Sequence, residues 1–198
     1  MEIYSLEYKF ISRNFVSNKT DKMKNIIAFA GSNSKTSINK QLAIYASSLV
    51  EDVNVDVLDL NDYDLPLYGI DLENEKGIPD DAHKFLDILK NTDGIVLSLA
   101  EHNGTYATVF KNLFDWLTRI EGKMFFDKPM LLMATSPGGR GGLTALEIAK
   151  GRFPFHDGNI IETFSLPFFG DNFKDGKITN EDLDTQLKNS VKQFQKSL

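Results

Sequence analysis

The pattern of apolar and polar positions changes character at Lys24. Residues 1–22 carry aromatic side chains without a sustained period, and they lack the apolar core and small-residue cleavage site of a secretory signal. We expect a poorly ordered extension over 1–22 and one domain over 23–198, a length that suits a single core. From Lys24 onward, strand and helix signals alternate. "KNIIAFA" is an unbroken apolar run, as expected of a strand buried on both faces of a parallel sheet. Ile38, Leu42, Tyr45 and Leu49 then follow at helical spacing. Val53, Val55 and Val57 alternate with polar neighbours, as in a strand covered on one side. Asn61 to Gly77 is polar, with Pro66 and Gly69, and reads as a loop.

Residues 79–90 predict a short helix opened by Pro79. "DGIVLSLA" is the next buried strand. Tyr106, Val109, Phe110, Leu113, Phe114, Leu117 and Ile120 trace the face of a following helix. "KPMLLMATS" is another buried run, succeeded by a glycine-rich loop and a helix from about Leu143. "NIIETFSLPFF" supplies the last strand. Leu183, Leu187, Val191, Phe194 and Leu198 mark a final helix, with Thr179 and Asp182 as its capping pair. Five strands alternating with five helices predict a doubly wound α/β sandwich. Ligands bind such sheets beyond the carboxyl ends of the strands, where the strand order reverses. The loops there read "GSNSKTSIN", "EHNGTY" and "SPGGRGG".

The first loop echoes a nucleoside-triphosphate P-loop but fails its spacing. Counting from Gly31, the second glycine falls on Thr36, and Lys35 arrives too early. A dinucleotide G-x-G-x-x-G fingerprint is also missing. What remains is a strand-to-helix turn with the hydroxyls of Ser32, Ser34, Thr36 and Ser37, closed by Asn39. Backbone N–H groups and the positive helix end favour a phosphate there; Ser37 acting only as a helix cap is the plainer alternative. In the third loop, glycines beside Arg140 permit positive φ and close approach of a flat ring, or simply form a turn. In the second, Glu101, His102 and Asn103 stand at a strand terminus.

Charge and composition narrow the partners. The net charge of -6 gives no basis for binding nucleic acid or an anionic membrane. No apolar run is long enough to span a bilayer. Cysteine is absent, which removes disulfides, thiolate metal ligands and cysteine catalysis, and accords with the cytoplasm.

Taken in order, these loops resemble those of the NAD(P)H-dependent FMN reductases, within the flavodoxin-like superfamily. The resemblance runs from about Lys24 to Phe173. It rests on Gly31-Ser32 with Ser37 and Asn39, on Glu101 to Gly104 followed by Lys111-Asn112 and Asp115-Trp116, and on Ser136 to Gly142. "DLPLY", residues 64–68, is similar to the family's loop after the second strand. The resemblance implies a three-layer flavodoxin-like sandwich with a five-stranded parallel sheet in the order 2-1-3-4-5. It also implies FMN as cofactor, NADPH or NADH as co-substrate, and a small acceptor such as a quinone, azo compound or flavin. Ser32, Ser34, Ser37, Ile38 and Asn39 would meet the cofactor, with Ser32, Ser37 and Asn39 on its phosphate. Glu101, His102, Asn103 and Gly104 would line the isoalloxazine ring, and Ser136, Gly138, Gly139 and Arg140 would close its other side. Arg140 or Lys123 would reach cofactor phosphates.

The flavin would carry the chemistry, so no protein side chain is expected as catalyst and no metal ligand is implied. Family members form homodimers or homotetramers, for which the helix bearing Trp116 could serve as an interface unless Trp116 packs in the core. The chain departs from the family at Ser34, where arginine is usual, and at Ala100 and His102, where proline and tyrosine are usual. A flavodoxin-type electron carrier without its own nicotinamide site is the alternative reading.

Overall fold

The computed structural model describes residues 23–198; the expected extension over 1–22 lies outside the described residues. The chain forms β1 (Lys24–Gly31), α1 (Ile38–Ser48), β2 (Val53–Leu58), α2 (Ile70–Lys76), α3 (Asp80–Asn91), β3 (Gly94–His102), β4 (Thr105–Tyr106) and α4 (Thr108–Ile120). It continues through β5 (Pro129–Thr135), α5 (Leu143–Arg152), β6 (Asn159–Leu166), α6 (Phe169–Asn172), β7 (Phe173–Lys174), β8 (Lys177–Ile178) and α7 (Glu181–Ser197). Five parallel strands lie in the order β2-β1-β3-β5-β6, with β4 added antiparallel to β3. Counting the parallel strands alone, this is the flavodoxin-like order 2-1-3-4-5. No helix among the described residues is long and apolar enough to cross a membrane.

The unbroken apolar runs are what a two-sided sheet requires, because successive residues point to opposite faces. Ile27, Phe29, Ile95, Leu97 and Leu132 pack against α3, α4 and α5. Their neighbours Ile26, Ala28, Val96, Leu131 and Met133 pack against α1 and α7. The first layer is thickened by an aromatic cluster in which Phe153 contacts Phe125 at 4.8 Å and Phe114 at 5.8 Å between ring centroids. Each such ring contributes roughly 1.5–3 kcal/mol of burial. At the end of β1 the backbone passes so close to α4 that a Cβ on Gly31 would lie 2.9 Å from Leu99 and 3.1 Å from Phe110.

Four local expectations need correction. The stretch from Asn61 to Gly77 contains α2, which buries none of its residues and therefore leaves no apolar period to read. Tyr106 belongs to β4, and the helix after it starts at Thr108. The "EHNGTY" segment is a hairpin rather than a loop: Glu101 pairs with Tyr106 and His102 with Thr105. The last helix is capped by Asn180, whose side chain accepts a hydrogen bond from the Leu183 N–H at 3.1 Å, and not by Thr179 with Asp182.

Candidate functional site

The C-terminal ends of β1, β3 and β5 bring the three loops together. After β1 the chain turns through Ser32–Ser37, with the Ser34 N–H donating to Ser32 Oγ and the Ser37 N–H to the Ser34 carbonyl. Ser37 is the N-cap of α1; its Oγ accepts from the Lys40 N–H at 3.1 Å. Among the described residues, the N–H groups of Lys35, Thr36, Ile38 and Asn39 have no protein acceptor. They form a donor set at the positive end of an eleven-residue helix. Lys40, one residue on, is committed elsewhere: its Nζ lies 2.6 Å from Asp59. That contact, with the Asn61 N–H, holds the Asp59 carboxyl below its usual range. Lys35 is exposed beside the donor set.

The Asn39 side chain, by contrast with its N–H, is engaged inside the protein. It is 3% exposed. Its Oδ1 accepts from the Thr135 N–H at 3.0 Å and from Ser98 Oγ at 2.7 Å, while its Nδ2 donates to the Thr135 carbonyl at 3.1 Å. One amide thus ties the start of α1 to β3 and β5. It fixes the turn against the sheet, and three of its hydrogen-bonding valences are spent inside the protein.

The second loop is a tight turn with Asn103 at φ 51° and Gly104 at φ 77°, the positive-φ pair that suits a two-residue hairpin. Glu101 accepts from the N–H groups of Thr144 and Ala145 at 3.0 and 3.2 Å, so its carboxylate caps α5. His102 is exposed. In the third loop the glycines mostly answer to the protein itself. A Cβ on Gly141, at φ 57°, would fall 2.4 Å from Ser165 Oγ, and one on Gly139 would fall 2.7 Å from the Phe168 ring. Gly138 faces open space. Its carbonyl accepts from the Phe168 N–H, and that of Ser136 accepts from the Phe169 N–H, which pins the loop to the chain after β6. Arg140 is exposed and donates to Thr144 Oγ1 at 3.1 Å.

Between these loops lies a cleft of about 320 Å³. It gathers Ser32, Ser34, Ser37, Ile38, Asn39, Glu101, His102 and Ser136 among the expected residues. Asn103, Gly104, Gly138, Gly139 and Arg140 stand on the adjoining turns, outside its lining. Thr36, already among the turn's hydroxyls, and Pro137, within the third loop, also line it, as do Ala100 and Thr135, for which adjacency to expected residues was the available sequence signal. Lys123 is not part of this site. It pairs with Asp157 at 2.9 Å, in the turns that enter β5 and β6, at the opposite end of the sheet. Larger hollows, of about 640 Å³ between α1 and α7 and about 520 Å³ beside β6, lie away from the three loops.

A second cleft, of about 330 Å³, adjoins the first and shares His102 with it. Its walls come from Asn33, from Leu65 and Leu67 after β2, and from Ala107 to Asn112 at the start of α4. Trp116 lies beneath, completely buried, and its Nε1 donates to the Pro66 carbonyl at 2.7 Å. The indole therefore belongs to the core and leaves nothing for an interface.

Known proteins share stretches of this sequence and this fold. A quinone reductase of Escherichia coli (strain K12) is 33% identical over 79 residues, 40% of this chain and 42% of that protein's length. The chain thus spans less than half of that relative. A 2-hydroxy-1,4-benzoquinone reductase of Burkholderia sp is 32% identical over 128 residues, covering 64% of this chain and 68% of the relative. The flavoenzyme NAD(P)H:(acceptor) oxidoreductase FerB from Paracoccus denitrificans has the same fold, with a TM-score of 0.69 at 24% identity, covering 87% of this chain and 96% of that one. The profile of the NADPH-dependent FMN reductase family matches residues 24–170, and the chain belongs to that family.

Proposed function

We propose that this protein is an FMN-dependent oxidoreductase that takes hydride from NADPH or NADH and delivers it to a small acceptor of the quinone or azo class. The observation that carries the reading is the first cleft's donor set: unpartnered N–H groups at the head of α1, flanked by the hydroxyls of Ser32, Ser34 and Thr36. That set fits a phosphate dianion. Glu101, whose carboxylate lines the same cleft, is turned into the N-terminus of α5 and so adds no bare repulsion. With arginine missing at Ser34, Lys35 is the cation positioned to balance the phosphate. Exposed Arg140 serves the nicotinamide cofactor's phosphates in the same reading.

FMN, when bound, supplies the hydride relay between nicotinamide and acceptor. The protein's share is orientation. Asn39 fixes the phosphate turn to the sheet, the Asn103-Gly104 turn sets His102 at the mouth, and the Ser136–Gly138 backbone, tied to Phe168 and Phe169, walls the other side. Association into a homodimer or homotetramer and a place in the cytoplasm belong to this proposal. The exposed Leu143 and Ile148 on α5, with Phe155 beyond it, offer apolar surface for the association, and light scattering on the eluting protein tests it.

Anaerobic addition of NADPH or NADH to the purified, FMN-loaded protein tests the enzyme. Bleaching of the flavin absorbance, followed by recovery when 1,4-benzoquinone is added, is the expected result. A spectrum unmoved by either nucleotide, with chemically reduced protein still passing electrons onward, would instead identify a flavodoxin-type carrier.

A further inference from the structure

The second cleft has a feature that the cofactor reading does not use. Leu67 is 74% exposed at its rim. A lone exposed leucine is ordinary, but this one sits on backbone that is held on both sides. The Asn112 side chain accepts from the Tyr68 N–H at 2.8 Å and donates to the carbonyls of Leu65 at 3.0 Å and Pro66 at 3.1 Å. Trp116 adds its own bond to Pro66. The Tyr68 ring meets Trp116 edge-on at 5.0 Å, and its hydroxyl donates to Glu73, which also pairs with Arg119. Residues 65, 66 and 68 are thus clamped to α4, and the residue between them projects an apolar side chain into solvent.

The character of the cleft agrees with this. Leu65, Ala107 and Val109 supply apolar wall, and the amide of Asn112 is occupied by the clamp. The polar phosphate turn stands on the other side of Asn33, and His102 borders both compartments. A molecule reaching from the mouth of the first cleft would therefore pass from a polar surface to one that offers Leu65, Leu67, Ala107 and Val109 as apolar contacts beside Thr108. Apolar contact of that kind favours a flat hydrocarbon body and gives nothing to a small, strongly hydrated ion.

We infer that this cleft receives the apolar body of the electron acceptor and that Leu67, on the backbone clamped by Asn112, sets the preference for bicyclic quinones over small hydrophilic acceptors. The inference rests on the reductase reading. Leu67→Ser removes the apolar contact without touching the core. Its KM for 1,4-naphthoquinone, taken relative to its KM for ferricyanide, is expected to rise about tenfold, the scale on which apolar pockets discriminate. Calorimetric titration of 1,4-naphthoquinone into the oxidised protein, with no nicotinamide present, should show the same loss of affinity.

An unchanged KM ratio together with unchanged calorimetric affinity overturns the inference. So does a parallel loss of FMN affinity in Leu67→Ser, because the cleft would then hold the flavin. If the wild-type protein oxidises neither NADPH nor NADH with any acceptor, the reductase reading itself falls. The calorimetric comparison then still decides whether Leu67 holds a quinone.

Discussion

Ser37 and Asn39 stand two positions apart at the head of α1, yet a substitution at each should be felt differently. Replacing Ser37 by alanine removes the cap on Lys40 N–H and costs about 1 kcal/mol. If the hydroxyl also meets phosphate, Ser37→Ala weakens FMN far more than riboflavin, as parallel fluorescence titrations of the two flavins would show; an equal loss for both would assign it to the cap alone. Asn39→Ala strands the Thr135 N–H and the Ser98 hydroxyl in the interior, at roughly 1–3 kcal/mol for each buried group left without a partner. Its urea midpoint should therefore fall below that of Ser37→Ala. The sequence placed both residues where the turn after β1 meets α1. It could not show how Asn39 is engaged, because Ser98 and Thr135 lie 59 and 96 positions away and are brought to it by strand order alone. Glu101 is a similar case: its position at a strand terminus was legible, and its service to the N-terminus of α5 was not.

Elements that bury a continuous apolar stripe were the easiest to read, and those without one were missed. The β1, β3 and β5 runs and the face of α4 declare themselves by their apolar pattern, whereas α2 has only the half-buried Leu72 against the core and passes for loop. The β3–β4 hairpin was concealed for another reason. β4 is two residues long, too short for alternation to show, although Asn-Gly is itself a strong turn signal. That turn is testable. A Cβ on Gly104 meets only Thr144 Cγ2, at 3.9 Å, so Gly104→Ala is penalised by its φ of 77° and not by crowding. A residue with a side chain in this region costs roughly 1–2 kcal/mol. Gly104→Ala should lower the thermal midpoint accordingly and weaken FMN through the displaced His102. A lowered midpoint with unchanged FMN affinity would separate the hairpin from the cofactor.

At the scale of the molecule, a few carboxylates and one phenol with shifted titration limit the pH range of stability. In the layer formed by α1 and α7, the Tyr45 hydroxyl donates to Asp184, which also pairs with Lys188. Burial, then the hydrogen bond to Asp184 and its charge, push the Tyr45 phenol up to about 12. Burial acts to raise Asp184 as well, but the bonds from Lys188 and Tyr45 outweigh it and hold the carboxyl below its usual value. Asp59 is held low by Lys40 in the same direction. A carboxyl depressed in the folded state stabilises it above the ordinary carboxylate range, and that contribution is lost as pH falls through about 4 and below. A raised phenol works in the opposite sense: its contribution is complete below about pH 10 and is lost as pH climbs towards 12. Urea midpoints should therefore be level from about pH 6 to 9 and fall on both sides. Asp59→Asn should make the acid limb shallower and leave the alkaline limb unchanged, with Asp184, Glu73 and Asp81 carrying the remainder. Tyr45→Phe should flatten the alkaline limb and leave Asp184 with one bond fewer, so its acid limb also becomes shallower. An alkaline limb unchanged in Tyr45→Phe would transfer that loss to the other phenols raised by burial, Tyr63, Tyr68 and Tyr106.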